Sequence, residues 1–392
     1  MHYHKQIQNN IWKFGIVRFL TSLSIFMPII TLYFQDNNIS LSQIFLLQSI
    51  YSFAVFIFEV PTGYFGDKIA RKTSMTIGLS LFAIWLCVYG MGASFWAFAS
   101  SEIILALGSS FISWSDSALL YDSLKLLWIT DRYKHIEWRL TFIGEWAWAI
   151  GGIIGWILAQ FTSLRIVLWI SWWVIACSLP FVLSLYEEEI VHISEDKNLW
   201  KNMRSIIRLS LHENTHLKRI IIYTWLLSSC TLAMVWATQP YLKELGLQIV
   251  WFGFVRAGLR WIVSLSGLIA GRWDEFWWWR NSLLSLLCLS IVWFLISWMS
   301  TTLLFWLFGL SLFQIQRWLQ KSIANHAINE LITSDIRATV LSVNSMIGRL
   351  IYAILGPVVG YMWDLYDLQT MFFFCAILFG MLGIWSYVKI RK

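Results

Sequence analysis

PTGYFGDKIARKT, Pro61 to Thr73, joins two long apolar runs, and its reading decides the fold. Clustered cations between apolar runs resist crossing a bilayer, so Lys68, Arg71 and Lys72 belong on a cytoplasmic surface. Gly63 and Gly66 let backbones approach where a side chain would not fit. Asp67 is placed to cap the helix that follows, and its charge suits that helix's positive end.

Outward from this stretch the chain is apolar in both directions. Apolar residues make up 58% of it and charged residues 13%, about half the charge of a soluble domain. Twelve long apolar runs fall at roughly 11–34, 41–65, 73–92, 95–124, 138–161, 165–186, 217–241, 248–271, 281–300, 302–327, 338–361 and 368–388. Each can cross about 30 Å of hydrocarbon as a helix. The expected class is an all-α integral membrane protein of twelve transmembrane helices.

The net charge of +7 invites a nucleic-acid reading, but its distribution opposes one. With the N-terminus inside, the cytoplasmic segments hold most of the Lys and Arg outside the apolar runs; the outer loops hold Lys243, with Arg165 at an edge. That asymmetry predicts both termini in the cytoplasm and a multi-pass protein of the inner (plasma) membrane. The first apolar run has no cleavable-signal pattern. Cys87, Cys177, Cys230, Cys288 and Cys375 lie far apart inside apolar runs, so neither disulfides nor a metal site is expected. No HExxH, GxSxG or Walker loop is present, which argues against an enzyme and against a bound cofactor.

The opening stretch also resembles the loop between helices 2 and 3 of the major facilitator superfamily, G-x-x-x-D-[RK]-x-G-[RK]-[RK]. Gly63, Asp67, Lys68, Arg71 and Lys72 match, and Ala70 replaces the second glycine. Asp274, in AGRWDEFWWWR, lies 207 residues after Asp67, and GPVVG (Gly356–Gly360) lies 205 residues after GGIIG (Gly151–Gly155). Two landmarks at nearly one offset indicate an internal duplication. The expected domains are residues 1–186 and 217–392, two six-helix bundles related by a pseudo-two-fold, joined by 187–216. That linker opens with three Glu and continues LWKNMRSIIRLSL, the pattern of a basic amphipathic helix on the inner leaflet.

The resemblance implies a secondary transporter of a small solute working by alternating access. It assigns Gly63, Asp67, Lys68, Arg71, Lys72 and Asp274 to a conformational gate. Gly151, Gly152, Gly155, Gly356, Pro357 and Gly360 form its helix-packing motifs. The strip Gly151–Gly155 is similar to the helix 5 motif of exporter branches, G-P-x-x-G-G, with Gly152 in place of Pro and Trp156 in place of the last Gly. A generic small-residue contact between helices is the plainer reading of the same strip.

Charged residues inside the runs mark candidate chemistry, because a charge in hydrocarbon costs at least about 2.5–3.5 kcal/mol. Glu102, Ser109 and Asp116 recur every seven positions and share a helix face, so this helix is expected to line a cavity. Asp122, about 200° around from Glu102, is expected to anchor the following loop. Asp116, Glu145 and Glu102 are the proton-coupling candidates, since burial disfavours a charged carboxylate. Arg256, Arg260, Arg349 and Arg317 are candidates to pair with these acids or to hold an anionic group of the substrate; fixed ion pairs are the alternative. Arg18 is read as snorkelling and Glu59 as a structural hydrogen-bond partner.

The expected function is proton-coupled export of an amphiphilic compound, with protons, a small-molecule substrate and the bilayer as partners and a monomer as the working form. Import of a sugar, amino acid or organic anion is the second reading. A non-transporting membrane scaffold is the third. One anomaly stands apart: there are 27 Trp against 22 Gly. Trp156, Trp273 and Trp277 fall where the resemblance expects glycine, and Trp277, Trp278 and Trp279 are consecutive where a loop is expected. The reading is that UGA codons, decoded as Gly in some bacterial lineages, stand here as Trp; interfacial Trp belts are the alternative.

Overall fold

The computed structural model describes residues 2–68, 70–187, 215–248, 251–300, 302–329, 331 and 337–391. The expected amphipathic linker therefore lies almost wholly outside the described residues. The side chains of Gly63, Asp67, Lys68, Arg256, Arg260 and Asp274 also lie outside them. What is described is helix joined by short turns: α1 His2–Ser22, α2 Ile30–Asp36, α3 Leu41–Lys68, α4 Arg71–Met91, α5 Phe95–Leu126, α6 Tyr133–Phe161, α7 Leu164–Ala176 and α8 Leu179–Leu183. Then follow α9 Thr215–Glu244, α10 Phe252–Met299, α11 Leu303–Asn329, α12 Arg337–Leu365 and α13 Leu368–Arg391. Nine stretches of the described residues are long and apolar enough to cross a membrane.

The chain gathers into two compact units, Met1–Ile39 with Ile50–Asp196, and Ser40–Ser49 with Lys197–Lys392. In the first, Phe14, Val17, Met75, Leu79, Leu120, Leu140 and Val182 form a core between α1, α4, α5, α6 and α8. Fully buried Asn10 ties its parts together: the side chain donates to Ser123 Oγ at 3.1 Å and to the Tyr186 carbonyl at 2.7 Å, and accepts from the Tyr186 N–H at 3.0 Å. In the second, Leu217, Ile220, Tyr223, Leu283, Leu287, Leu319, Val340 and Tyr387 pack together. Large apolar side chains on the outside, such as Trp96, Phe161, Leu304 and Ile354, are exposed. That is what helices solvated by lipid present, where tails are as apolar as Leu.

Three sequence boundaries shift. The first apolar run is broken: α1 ends at Ser22 and α2 begins at Ile30, with Pro28 in the turn between, where its missing N–H leaves no helical bond to lose. The Pro61 stretch is mostly helix rather than turn, since α3 continues through Pro61 to Lys68. One residue on, the Thr62 hydroxyl donates to the Phe58 carbonyl at 2.8 Å, while the carbonyl that loses its partner to the proline is that of Ile57. Finally, α10 runs 48 residues without interruption, through the expected loop and gate motif around Asp274. At 1.5 Å per residue it is about 72 Å long, more than twice the hydrocarbon thickness. The reason is local: between Gly271 and Gly309 there is neither Gly nor Pro to end a helix.

The duplication surfaces as matched hydrogen bonds. Tyr33 donates to the carbonyls of Tyr89 at 2.8 Å and Gly92 at 3.3 Å. Tyr241 donates to those of Ser297 at 3.3 Å and Ser300 at 3.0 Å. Every partner is displaced by the same 208 residues. The ring contacts follow suit, Tyr33 on Phe98 and Tyr241 on Trp306. One hydroxyl closing the turn between two helices is thus used once in each unit.

Candidate functional site: a charge cluster in the first unit

Four helices, α1, α4, α5 and α6, line one small cavity of about 50 Å³, with Phe14, Arg18, Met75, Asp116, Glu137 and Leu140 among its residues. Arg18 comes from α1, Asp116 from α5 and Glu137 from α6. Arg18 Nη2 lies 3.1 Å from Asp116 Oδ2 and 3.8 Å from Glu137 Oε1. All three side chains are partly buried, with 33%, 19% and 30% of their surface exposed. The second carboxylate oxygen of Asp116 accepts from the Ser117 N–H at 2.6 Å, and Glu137 Oε2 is buried without a hydrogen-bond partner. Gly144 lets α6 close on α1 here, since a Cβ would stand 3.1 Å from Ser22 Oγ and 3.5 Å from Arg18 Cγ.

One guanidinium thus faces two carboxylates in a partly apolar setting. Arg18 does not simply snorkel, as its sequence position suggested; its charge is drawn to a carboxylate of α5. Asp116 accordingly finds its cation within the first unit, where the sequence reading looked to arginines of the second half. Glu137 escaped that reading because it sits at the edge of an apolar run, where a charge resembles an ordinary surface residue.

The other described candidates of the first unit make different contacts. Glu102 is 2% exposed and accepts a hydrogen bond from Tyr89 within an aromatic surround, whereas Asp116 lines the small cavity. Ser109 bonds its own helix, at 2.9 Å to the Ala106 carbonyl. Glu145 lies on the exposed side of α6 with Phe142 and Trp146 and is not among the residues lining the small cavity. Arg349 is half-buried on α12, and Arg317 lines a separate cavity of the second unit.

The basic stretch makes its own contacts. Arg71 pairs with Asp122 of α5. The N–H groups of Arg71 and Lys72 donate to the Glu187 carboxylate at 2.7 and 2.9 Å. So the cap of α4 is Glu187, a carboxylate brought by tertiary structure to the positive helix end. The expected cap Asp67 lies inside α3, and the residue at the cap position, Ala70, has no side-chain oxygen to offer. The glycine strips are close contacts. A Cβ on Gly155 would stand 1.7 Å from the Ile25 carbonyl oxygen and one on Gly151 3.0 Å from Leu23, in the turn between α1 and α2, whereas Gly152 meets nothing within 4 Å. A Cβ on Gly356 would meet Ser49 Oγ at 2.7 Å, and one on Gly360 would meet Phe45 at 2.8 Å.

Comparison with known proteins accords with this architecture. A model described as Major Facilitator Superfamily matches residues 14–354. No curated protein sequence matches significantly. Among solved structures, a point variant of the nucleoside transporter NupG superimposes with a TM-score of 0.85 at 15% identity, covering 98% of this chain and 100% of that one. A bacterial homologue of the human lysosomal transporter Spinster, inward-facing and unoccupied, gives 0.75 at 12% identity, covering 98% and 97%. A POT family transporter in complex with a thioalcohol-conjugated peptide gives 0.71 at 12% identity, covering 98% and 97%. Identities this low speak for the fold, the twelve-helix fold of these transporters. Matched by its model over most of its length, this multi-pass integral membrane protein belongs to the Major Facilitator Superfamily.

Proposed function

We propose that the chain is a proton-coupled secondary transporter of a small solute, in which the Arg18–Asp116–Glu137 cluster binds the coupling proton. The observation that supports this is one guanidinium within reach of two carboxylates, with Glu137 Oε2 buried and unpartnered. When a proton neutralises either acid, Arg18 is left with a single partner and the attraction between α1, α5 and α6 is redistributed. That gives alternating access a charge state to follow. Arg71, Asp122 and Glu187 hold the ends of α4 and α5 through a second, separate set of charges.

The test is proton flux in vesicles of the purified protein, with an imposed pH gradient and a panel that includes nucleosides and small peptides, the solutes named for its structural neighbours. Solute movement that drives proton movement is expected in the wild type. It is lost in Asp116→Asn and Glu137→Gln, while both variants fold. Solute transport that continues in these variants, still tied to the gradient, removes the cluster from the coupling step. Solute leaving or accumulating in the same vesicles reads the direction, which the glycine strip led us to expect as outward. Glu145 and Glu102 serve as comparison sites, and neutralising either is expected to leave coupling in place.

A further inference from the structure

We propose that the groove between the start of α1 and the turn leading into α6 binds the headgroup of an anionic phospholipid. This goes beyond the transporter reading and does not rest on it. The groove measures about 760 Å³, and its polar lining is Gln8, Asp131, Arg132, His135 and Arg139. All five of these residues are exposed. The rest of the lining, Ile11, Leu127, Ile129 and Ile136, is aliphatic. The volume falls within the roughly 300–1,000 Å³ typical of sites for drug-sized ligands, which leaves room for a headgroup and the first part of its chains.

The charges of the lining specify the partner's sign. Arg132 and Arg139 contribute two positive charges and Asp131 one negative, so with the imidazole counted as neutral these residues carry a net charge of +1. One phosphodiester balances it. Among the described residues no carboxylate lies within ion-pair distance of either guanidinium, although Asp131 shares the groove. Arg18 and Arg71, by contrast, each spend theirs on a carboxylate. Both forks of the groove are thus available to phosphate oxygens, whose geometry a guanidinium matches with two parallel hydrogen bonds. Arg139 follows His135 by one turn, about 40° around the helix, so the two share a side of α6. Asp131 suits the hydroxyl donors of a headgroup such as glycerol.

Depth decides for a lipid over a soluble anion. The exposed apolar side chains of α6 run from Phe142 through Ile150, Ile154 and Ile157 to Phe161. At 1.5 Å per residue that stretch is about 30 Å long, the thickness of the hydrocarbon core. Arg139 stands one turn before it, at the level of the headgroups, with His135 and Arg132 successively further out. Basic pockets beside transmembrane helices at that level are where anionic headgroups bind. A free phosphate gains nothing from the aliphatic lining, whereas the glycerol backbone and upper chains of a lipid cover it.

The experiment is native mass spectrometry of the full chain released from detergent. The probes are phosphatidylglycerol and phosphatidylcholine of the same chains, with inorganic phosphate as competitor. Wild type is expected to retain phosphatidylglycerol in preference to phosphatidylcholine, and phosphate at the same concentration is expected not to displace it. Arg132→Gln and Arg139→Gln should each weaken phosphatidylglycerol binding roughly fivefold, and together about 30-fold, the effect of a cation beside an anionic headgroup. Asp131→Asn removes the acid of the lining and should strengthen binding by about the same fivefold. Lys125→Gln, exposed on α5 but outside the groove, should leave it unchanged. Thermal unfolding in phosphatidylcholine nanodiscs checks that each variant folds; should an arginine variant fail to, Asp131→Asn decides, tighter binding supporting the site and unchanged binding overturning it. The proposal is also overturned by equal retention of the two lipids, by displacement with phosphate, or by folded arginine variants that bind as wild type does. An equal loss from Lys125→Gln overturns it too, since that marks diffuse attraction to a basic surface.

Discussion

Arg18 holds two carboxylates apart in function as well as in space, and the three residues should not be interchangeable in stability. Removing the cation leaves two partly buried acids facing each other, whereas removing one acid leaves a simple ion pair. Arg18→Ala is therefore expected to lose about 1–2 kcal/mol, a figure reduced for the partial exposure of all three groups, and Asp116→Asn less. In the Arg18→Ala background Asp116→Asn should restore part of the loss; thermal unfolding of the four proteins gives this coupling directly. A second residue-scale effect lies in the turn before α13. Asp367 accepts from the Thr370 N–H at 2.9 Å, and its hydrogen bonds to the side chain and backbone of Thr370 hold its carboxyl below the usual carboxylate range. Its folded value is depressed, so its contribution is present above the unfolded value and lost as pH falls through the folded one. The difference in unfolding midpoint between wild type and Asp367→Ala should be constant near neutrality and vanish in acid. At this scale Asp116 was legible as a charge inside an apolar run. Its partners were not, because a charge's neighbours come from other helices.

Helices meet where side chains are small, and the strip on α6 separates contact from coincidence. Gly155→Ala forces a methyl into the Ile25 backbone and should destabilise by about 1–3 kcal/mol, because backbone cannot give way as a side-chain tip can. Gly152→Ala meets open space and should be neutral or slightly stabilising, by at most about 1 kcal/mol from helix propensity. Equal effects from the two substitutions, measured by thermal unfolding in the same lipid, would show that the strip packs on something other than the α1–α2 turn. The strip was visible in the sequence; that its partner is the break in the first apolar run was not. The opposite case is α10, whose continuity follows from its own residues. Trp277, Trp278 and Trp279 sit where glycines would have ended a helix. If these positions are glycine in the protein its host makes, the coding DNA carries UGA at them and mass spectrometry of the native chain finds glycine; UGG codons there end that idea.

Across the whole molecule, the repeat offers the broadest check. Tyr33 and Tyr241 close equivalent turns 208 residues apart, so Tyr33→Phe and Tyr241→Phe should each cost about 1–2 kcal/mol, through the same pair of carbonyls deprived of a donor. Unequal losses would mean that the two repeats have diverged in how they hold these turns. By itself the sequence determined that the chain is a multi-span helical membrane protein with an internal duplication. Long apolar runs, their loop charges and a recurring offset are written along the chain and need no partner to be read. Tertiary structure alone decided that Arg18 serves Asp116 and Glu137, and that Glu187 caps α4. Each of these depends on which helix faces are brought together, and helical periodicity fixes a residue's face without saying what stands opposite it.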